Sequence, residues 1–201
     1  GITAANAVQR EALHTALNGE DMLCVAQTGS GKTLCFLLPL LERLARPGST
    51  QLGLVIAPSP ELVMQHRDVA VMLASAITSS ERPAVEMLLQ EALPARRTGA
   101  ASQLLLAQPE VVLAQLRRGT LDASLISVLA IDEVDAVICG GPFERVLSAA
   151  GESLLGALEL DVPPRPQYLL TTAHLTSAHE AALRERFGTA RRVEQHSEGG
   201  R

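Results

Sequence analysis

The stretch Ala26-Gln27-Thr28-Gly29-Ser30-Gly31-Lys32-Thr33 decides how this chain is read. It follows the apolar run Met22-Leu23-Cys24-Val25-Ala26, which reads as a buried strand. It precedes Lys32 to Ala45, which reads as a helix stopped by Pro47-Gly48. A Gly-rich turn between a strand and a helix is the setting a phosphate-binding loop needs. Gly29 and Gly31 let the backbone turn with several N–H groups pointing inward, and the helix that follows adds its N-terminal dipole. Lys32 can reach terminal phosphates, and the Thr33 hydroxyl can ligate Mg2+. Lys32 is the only lysine among 17 basic residues. Arginine is longer and planar and does not replace a lysine point charge at such a site.

A second segment carries chemistry further along. Val128-Leu129-Ala130-Ile131-Asp132-Glu133-Val134-Asp135 is an apolar strand that stops at acids. A carboxylate at a strand end beside a phosphate loop can hold Mg2+ through water, the role that falls to Asp132. Glu133 can orient and deprotonate an attacking water.

Around these two segments, short apolar runs alternate with amphipathic stretches. Helices are expected over Asn6 to Leu17 (Asn6 as cap, Gly19 behind), Pro60 to Ala76, Pro109 to Arg117, Phe143 to Leu158 and Ser177 to Arg186. Strands are expected over Leu52 to Ala57, Ala84 to Leu89, Gln103 to Ala107, Leu125 to Ile131, Gln167 to Thr172 and Arg191 to Glu194. Pro39 predicts a bend in the helix after the phosphate loop. Strands separated by helices imply a mostly parallel α/β sheet covered on both faces, with ligands at the carboxyl ends of the strands.

Composition narrows the options. The chain has 201 residues, 47% hydrophobic and 2% aromatic, so the core is built from Leu, Val, Ile and Ala. The only rings outside histidine are Phe36, Phe143, Tyr168 and Phe187, few platforms for stacked bases. A net charge of −5 excludes a generic basic nucleic-acid coat, though not a local phosphate patch. The doublets Arg96-Arg97, Arg117-Arg118 and Arg191-Arg192 read as solvated surface. Three cysteines without a C-x-x-C fit reduced thiols in an intracellular compartment. No uncharged stretch is long enough to span a bilayer, and no signal peptide is expected. His174 and His179 lack the spacing of a metal pair. Ser30 and Ser59 have no triad partners. Glu61 reads as a cap or brace at the sheet edge.

Together these segments make the chain resemble the first RecA-like domain of DEAD-box ATP-dependent RNA helicases, over nearly its whole length. Residues 26–33 match the family's A-x-T-G-S-G-K-T, and Asp132-Glu133-Val134-Asp135 stands at its D-E-A-D. Gly1-Ile2-Thr3-Ala4-Ala5-Asn6-Ala7-Val8-Gln9 aligns with its Q motif. The resemblance implies a RecA-like P-loop NTPase domain over residues 1–195, with 196–201 as a frayed tail. It implies ATP and Mg2+ as cofactors. Gln9, Gln27, Thr28, Gly29, Ser30, Gly31, Lys32 and Thr33 would bind nucleotide, with Gln9 on the adenine edge. Thr33 and Asp132 would hold the metal, and Lys32, Asp132 and Glu133 would act in hydrolysis. A second RecA-like domain, in cis or in trans, would supply an arginine finger worth about 10³- to 10⁵-fold in rate. This chain alone is therefore expected to be a slow ATPase and no helicase.

The departures fall on the RNA side. Ala5 replaces the Q-motif proline. Pro58-Ser59-Pro60-Glu61-Leu62-Val63-Met64-Gln65 resembles P-T-R-E-L-A-x-Q with Pro60 for the basic residue. No double-glycine motif is recognisable from Arg82 to Gln90. Gln108-Pro109-Glu110-Val111 stands at T-P-G-R, so an acid replaces the glycine and a valine the arginine. Thr171-Thr172-Ala173 replaces S-A-T, so a hydroxyl is shifted or lost. Two functions follow from this division. One is an ATP-binding helicase domain that remodels RNA or ribonucleoprotein with weakened direct RNA contacts. The alternative is a helicase-derived structural or assembly subunit of a large ribonucleoprotein, such as an organellar ribosome, with little or no activity.

Overall fold

The computed structural model describes residues 4–46, 51–77, 83–87, 103–139 and 165–195. Within them lie five α-helices: α1 (Ala7–Leu17), α2 (Lys32–Leu44), α3 (Pro60–Ser75), α4 (Pro109–Arg117) and α5 (Ser177–Phe187). Seven strands form one sheet: β1 (Met22–Val25), β2 (Leu52–Ile56), β3 (Ala84–Met87), β4 (Gln103–Ala107), β5 (Ile126–Ile131), β6 (Gln167–Thr172) and β7 (Arg191–Glu194). Their order is β3-β4-β2-β5-β6-β1-β7, and every pairing is parallel.

Alternation along the strands divides the core into two layers. Leu54, Ile56, Leu129, Ile131 and Leu170 pack under α4 and α5. Val55, Val128, Ala130, Leu169 and Cys24 pack under α1, α2 and α3. The central strands are buried on both faces and so read as nearly continuous apolar runs. α2 lies hard against β2, where a Cβ on Gly53 would stand 2.8 Å from Leu40 Cδ2. The helix runs through the buried Pro39.

The expected elements stand where they were read, with local differences. Leu125 closes a 3₁₀ turn, Ala123–Leu125, capped by the Asp122 side chain, so β5 starts one residue later. A π-helical turn over Asp135–Cys139, to which the sequence reading gave no element, follows the acidic strand end. α3 is capped by Ser59, whose Oγ accepts from Leu62 N at 3.3 Å. Glu61 is exposed in its first turn and does not cap it. The expected helix from Phe143 to Leu158, the Arg82 to Gln90 segment (beyond Ala84–Met87) and the tail 196–201 lie outside the described residues. Among the described residues, no helix is long and apolar enough to cross a membrane.

Candidate nucleotide-binding site

β1 ends at Val25, and the Ala26 N–H continues the ladder to Thr172 O at 3.1 Å. The chain then turns through Gly29 and Gly31, both at φ +82°, before α2 begins at Lys32. No side chain caps α2, a helix start of the kind that can receive an anion. The Ser30 hydroxyl is buried inside the loop without a partner. The Lys32 ammonium folds back on the loop, donating to Ala26 O and, at 3.0 Å, to Gln27 O.

The loop is braced from two sides. Asn6 caps α1 in a reciprocal box with Gln9: Gln9 N donates to Asn6 Oδ1 at 2.8 Å, and Asn6 N to Gln9 Oε1 at 3.0 Å. Asn6 Nδ2 donates to Ser30 O at 2.9 Å, and Gln9 Nε2 to Gly31 O at 3.3 Å and Ser30 O at 3.5 Å. Gln9 is thus buried between α1 and the loop. On the far side, the Gln27 N–H donates to Gln195 Oε1 at 3.3 Å, just beyond β7.

Asp132 follows β5 at the same sheet edge. One strand, β6, separates β5 from β1, so the acid and the loop lie roughly 10 Å apart by strand spacing. Lys32 and Asp132 both lie within electrostatic reach of the Cys24 thiol on β1. Asp132 is only 6% exposed. Burial alone would raise its pKa. Hydrogen bonds from His66, Thr171 and the Glu133 amide, with the attraction of the imidazole, outweigh burial and hold it below the usual carboxylate value. Oδ2 pairs with His66 Nε2 at 2.8 Å, while Oδ1 accepts from Thr171 Oγ1 at 2.6 Å and from Glu133 N at 3.0 Å. With the carboxylate ionised, it is an acceptor only, so His66 carries its proton on Nε2.

Glu133 is the one non-glycine among the described residues with positive φ, at +50°, and it is exposed. Strained backbone of this kind collects at functional turns. Asp135 Oδ1 accepts from Thr172 Oγ1 at 2.6 Å. In the S-A-T-like segment Thr171 thus holds the first acid and Thr172 the last.

The structure thus sets Gln9 and residues 26–33 in one junction and Asp132 and Glu133 at its sheet edge. His66, which the sequence reading passed over, joins them. Its signal was the spacing Val63, His66, Ala70, Ala74, which puts an imidazole on the buried stripe of α3. Val111 is buried under the sheet, while Glu110 beside it is exposed in the first turn of α4. Hard oxygen donors, Thr33 and Asp132, suit Mg2+. The open left-handed loop with its orphaned Ser30 hydroxyl suits phosphate. Among the described residues, no three His, Cys, Asp or Glu side chains cluster as a metal site of their own.

A parallel sheet with a phosphate loop after β1 and acids after β5 defines a RecA-like P-loop domain. The family model for the DEAD/DEAH box helicase matches residues 6–182, and the chain belongs to that family. It is similar to the ATP-dependent RNA helicase DeaD of Haemophilus influenzae, 27% identical over 97% of this chain and 32% of that protein. With the Escherichia coli ATP-dependent RNA helicase DeaD it shares 34% identity over 73% of this chain and 23% of that protein. The chain therefore spans a third or less of the length of these relatives. Among solved structures, Saccharomyces cerevisiae Dbp5 bound to RNA and ADP BeF3 superposes with a TM-score of 0.79 at 20% identity, over 97% of this chain and 47% of that one. The yeast DEAD-box splicing factor Prp28 does so at 0.74 and 22%, over 96% and 46%. These likenesses fix the fold.

Proposed function

We propose that this chain is the ATP-binding domain of an intracellular DEAD-box RNA helicase, binding Mg-ATP and hydrolysing it slowly until a second RecA-like domain, in cis or in trans, completes the cleft. The observation that carries this reading is the loop itself: an uncapped helix N-terminus behind two left-handed glycines, with the sole lysine of the chain beside it. The family membership of the chain and its RNA-helicase relatives support it.

The residues divide the work as follows. Residues 27–33 surround the phosphates with N–H groups, and Lys32 exchanges the Ala26 and Gln27 carbonyls for phosphate oxygens. Thr33 and Asp132 hold the metal, which when bound neutralises charge developing on the phosphates. Glu133 positions water and takes its proton. Gln9 reads the adenine edge. Its Oε1 keeps a second lone pair, and its two Nε2 bonds are long, so adenine competes with carbonyls it can displace.

The test is a titration with fluorescent ATP and GTP in Mg2+, beside Lys32→Ala. ATP binding that GTP does not share and that Lys32→Ala abolishes is the expected result. No binding of either at millimolar concentration would end the enzyme reading. A second reading, a structural or assembly subunit of a ribonucleoprotein, is favoured by one observation: exposed Glu110 and buried Val111 where RNA-side contacts are expected. It predicts bound nucleotide that does not turn over.

A further inference from the structure

We propose that His66 is a positioning residue: from α3, its Nε2–H fixes the Asp132 carboxylate in the orientation that accepts a metal-bound nucleotide. This rests on the nucleotide-binding reading above.

The buried stripe of α3 is Val63, His66, Ala70 and Ala74. Three of these are small or apolar and pack under the sheet. The fourth brings an imidazole that is 3% exposed, and a buried imidazole is tolerated only if its polar atoms are used. Its Nε2 is committed to Asp132 Oδ2 at 2.8 Å. The ring cannot swing away freely, because Phe36 on α2 packs against it in a T-shaped pair, 5.3 Å between centroids and 85° between planes. Phe36 is fully buried and stands one helical turn beyond Lys32. The acid is thus oriented by a ring that is itself wedged against the helix carrying the phosphate loop.

The lone pairs show what this does. Each carboxylate oxygen offers two. Oδ1 spends both, on Thr171 Oγ1 and on Glu133 N. Oδ2 spends one on His66 and keeps one. That remaining lone pair is the one through which Asp132 can engage a metal-bound water. Without the His66 donor the carboxylate is held through Oδ1 alone, by Thr171 and Glu133, so Oδ2 can tilt and the direction of its lone pair is no longer fixed. Partners that orient a metal-engaging group typically alter metal affinity about 10- to 100-fold when removed.

The experiment compares the parent chain with His66→Leu, which fills the space without a donor, and His66→Gln, whose amide N–H can stand in for Nε2–H. ADP affinity is measured in chelator, and Mn2+ affinity is measured at saturating ADP by electron paramagnetic resonance. For His66→Leu, metal-free ADP affinity should stay within about two-fold of the parent while Mn2+ affinity falls about 10-fold or more. His66→Gln should recover most of the loss. A purely structural role would lower both affinities together and would not be rescued by Gln.

His66→Leu binding Mn2+ as the parent does, or His66→Gln failing like Leu, overturns the proposal and leaves the nucleotide reading standing. A parent chain that binds no ADP with or without metal overturns both, and one that binds ADP but shows no Mn2+ binding overturns the proposal alone. If His66→Leu does not fold, the parent chain decides. Its His66 Nε2 resonance in 15N-imidazole spectra should move on adding Mg-ADP and stay in place with ADP and chelator. A resonance unmoved by Mg-ADP overturns the proposal.

Discussion

Two buried aspartates carry different burdens at opposite ends of the sheet. Asp21, before β1, ties structure together away from the phosphate loop: Tyr168 N donates to its Oδ1, Thr189 Oγ1 donates to its Oδ2, and Arg165 pairs with Oδ2 at 2.8 Å. Asp132, after β5, keeps a lone pair and stands beside a phosphate loop. Its carboxylate is nonetheless favoured over its acid, since its partners outweigh the cost of burial. A carboxylate held low in the folded state contributes stability that is full above its unfolded pKa of about 3.9 and fades as pH falls through the lower folded value. Asp132→Asn removes that titration. At neutral pH the variant should be less stable by about 1.5–3 kcal/mol, the usual worth of hydrogen bonds to a charged group. Below about pH 4 the gap should narrow. Urea unfolding of both proteins from pH 6 to pH 3 measures it, and a constant gap would show that Asp132 titrates alike in the folded and unfolded states.

At the scale of elements, the junction of α1, the phosphate loop and α2 is the most closely tied part of the site. Asn6 and Gln9 cap α1 and hold the loop carbonyls with the same side chains. Gly29 and Gly31 share φ +82°, yet their surroundings differ. A Cβ on Gly29 meets nothing within 4 Å, whereas one on Gly31 runs into the Gln9 amide. Gly29→Ala should cost about 1 kcal/mol, the left-handed strain alone. Gly31→Ala adds displacement of Gln9 and should cost more, with a larger fall in Tm. Equal shifts would mean that Gln9 does not brace the loop. Asn6→Ala should cost about 1 kcal/mol as a lost cap, and should weaken nucleotide binding besides, because Ser30 O loses the shorter of its two donors.

Much of this was legible in the residues. The loop announced itself because phosphate binding demands glycine and lysine at fixed spacing. The strands did so because a doubly covered parallel sheet demands unbroken apolar runs. The partners of Asp132 did not, because no local pattern says that α3 and β6 converge on the end of β5. Thr171 and Thr172 read as a displaced motif until the β5–β6 register set their hydroxyls on Asp132 and Asp135. The π turn after Val134 hid for a related reason. Val134, Val137 and Ile138 are buried, but the turn is too short for a helical period to emerge.

At the scale of the whole molecule, one sheet edge gathers the proposed nucleotide site, while the first turn of α4 offers an exposed acid, Glu110, and a buried Val111 in place of groups that would hold RNA. Val111 belongs to the core, so a charged residue cannot simply be restored there. Val111→Arg would bury a guanidinium under the sheet and should unfold the chain or cost several kcal/mol. Glu110 is different. It is exposed at the start of α4, where an acid suits the helix dipole and opposes a phosphate. Glu110→Arg should cost at most about 1 kcal/mol of stability. If this helix end faces RNA, the change should tighten binding of a single-stranded oligonucleotide and steepen its salt dependence by about 0.7 for each phosphate the new guanidinium neutralises. Fluorescence anisotropy across a salt series reads both quantities. An unchanged affinity and slope would place α4 away from RNA altogether. The acid would then be a helix-dipole partner only, and a domain retained for assembly would account for this face better than one retained for remodelling.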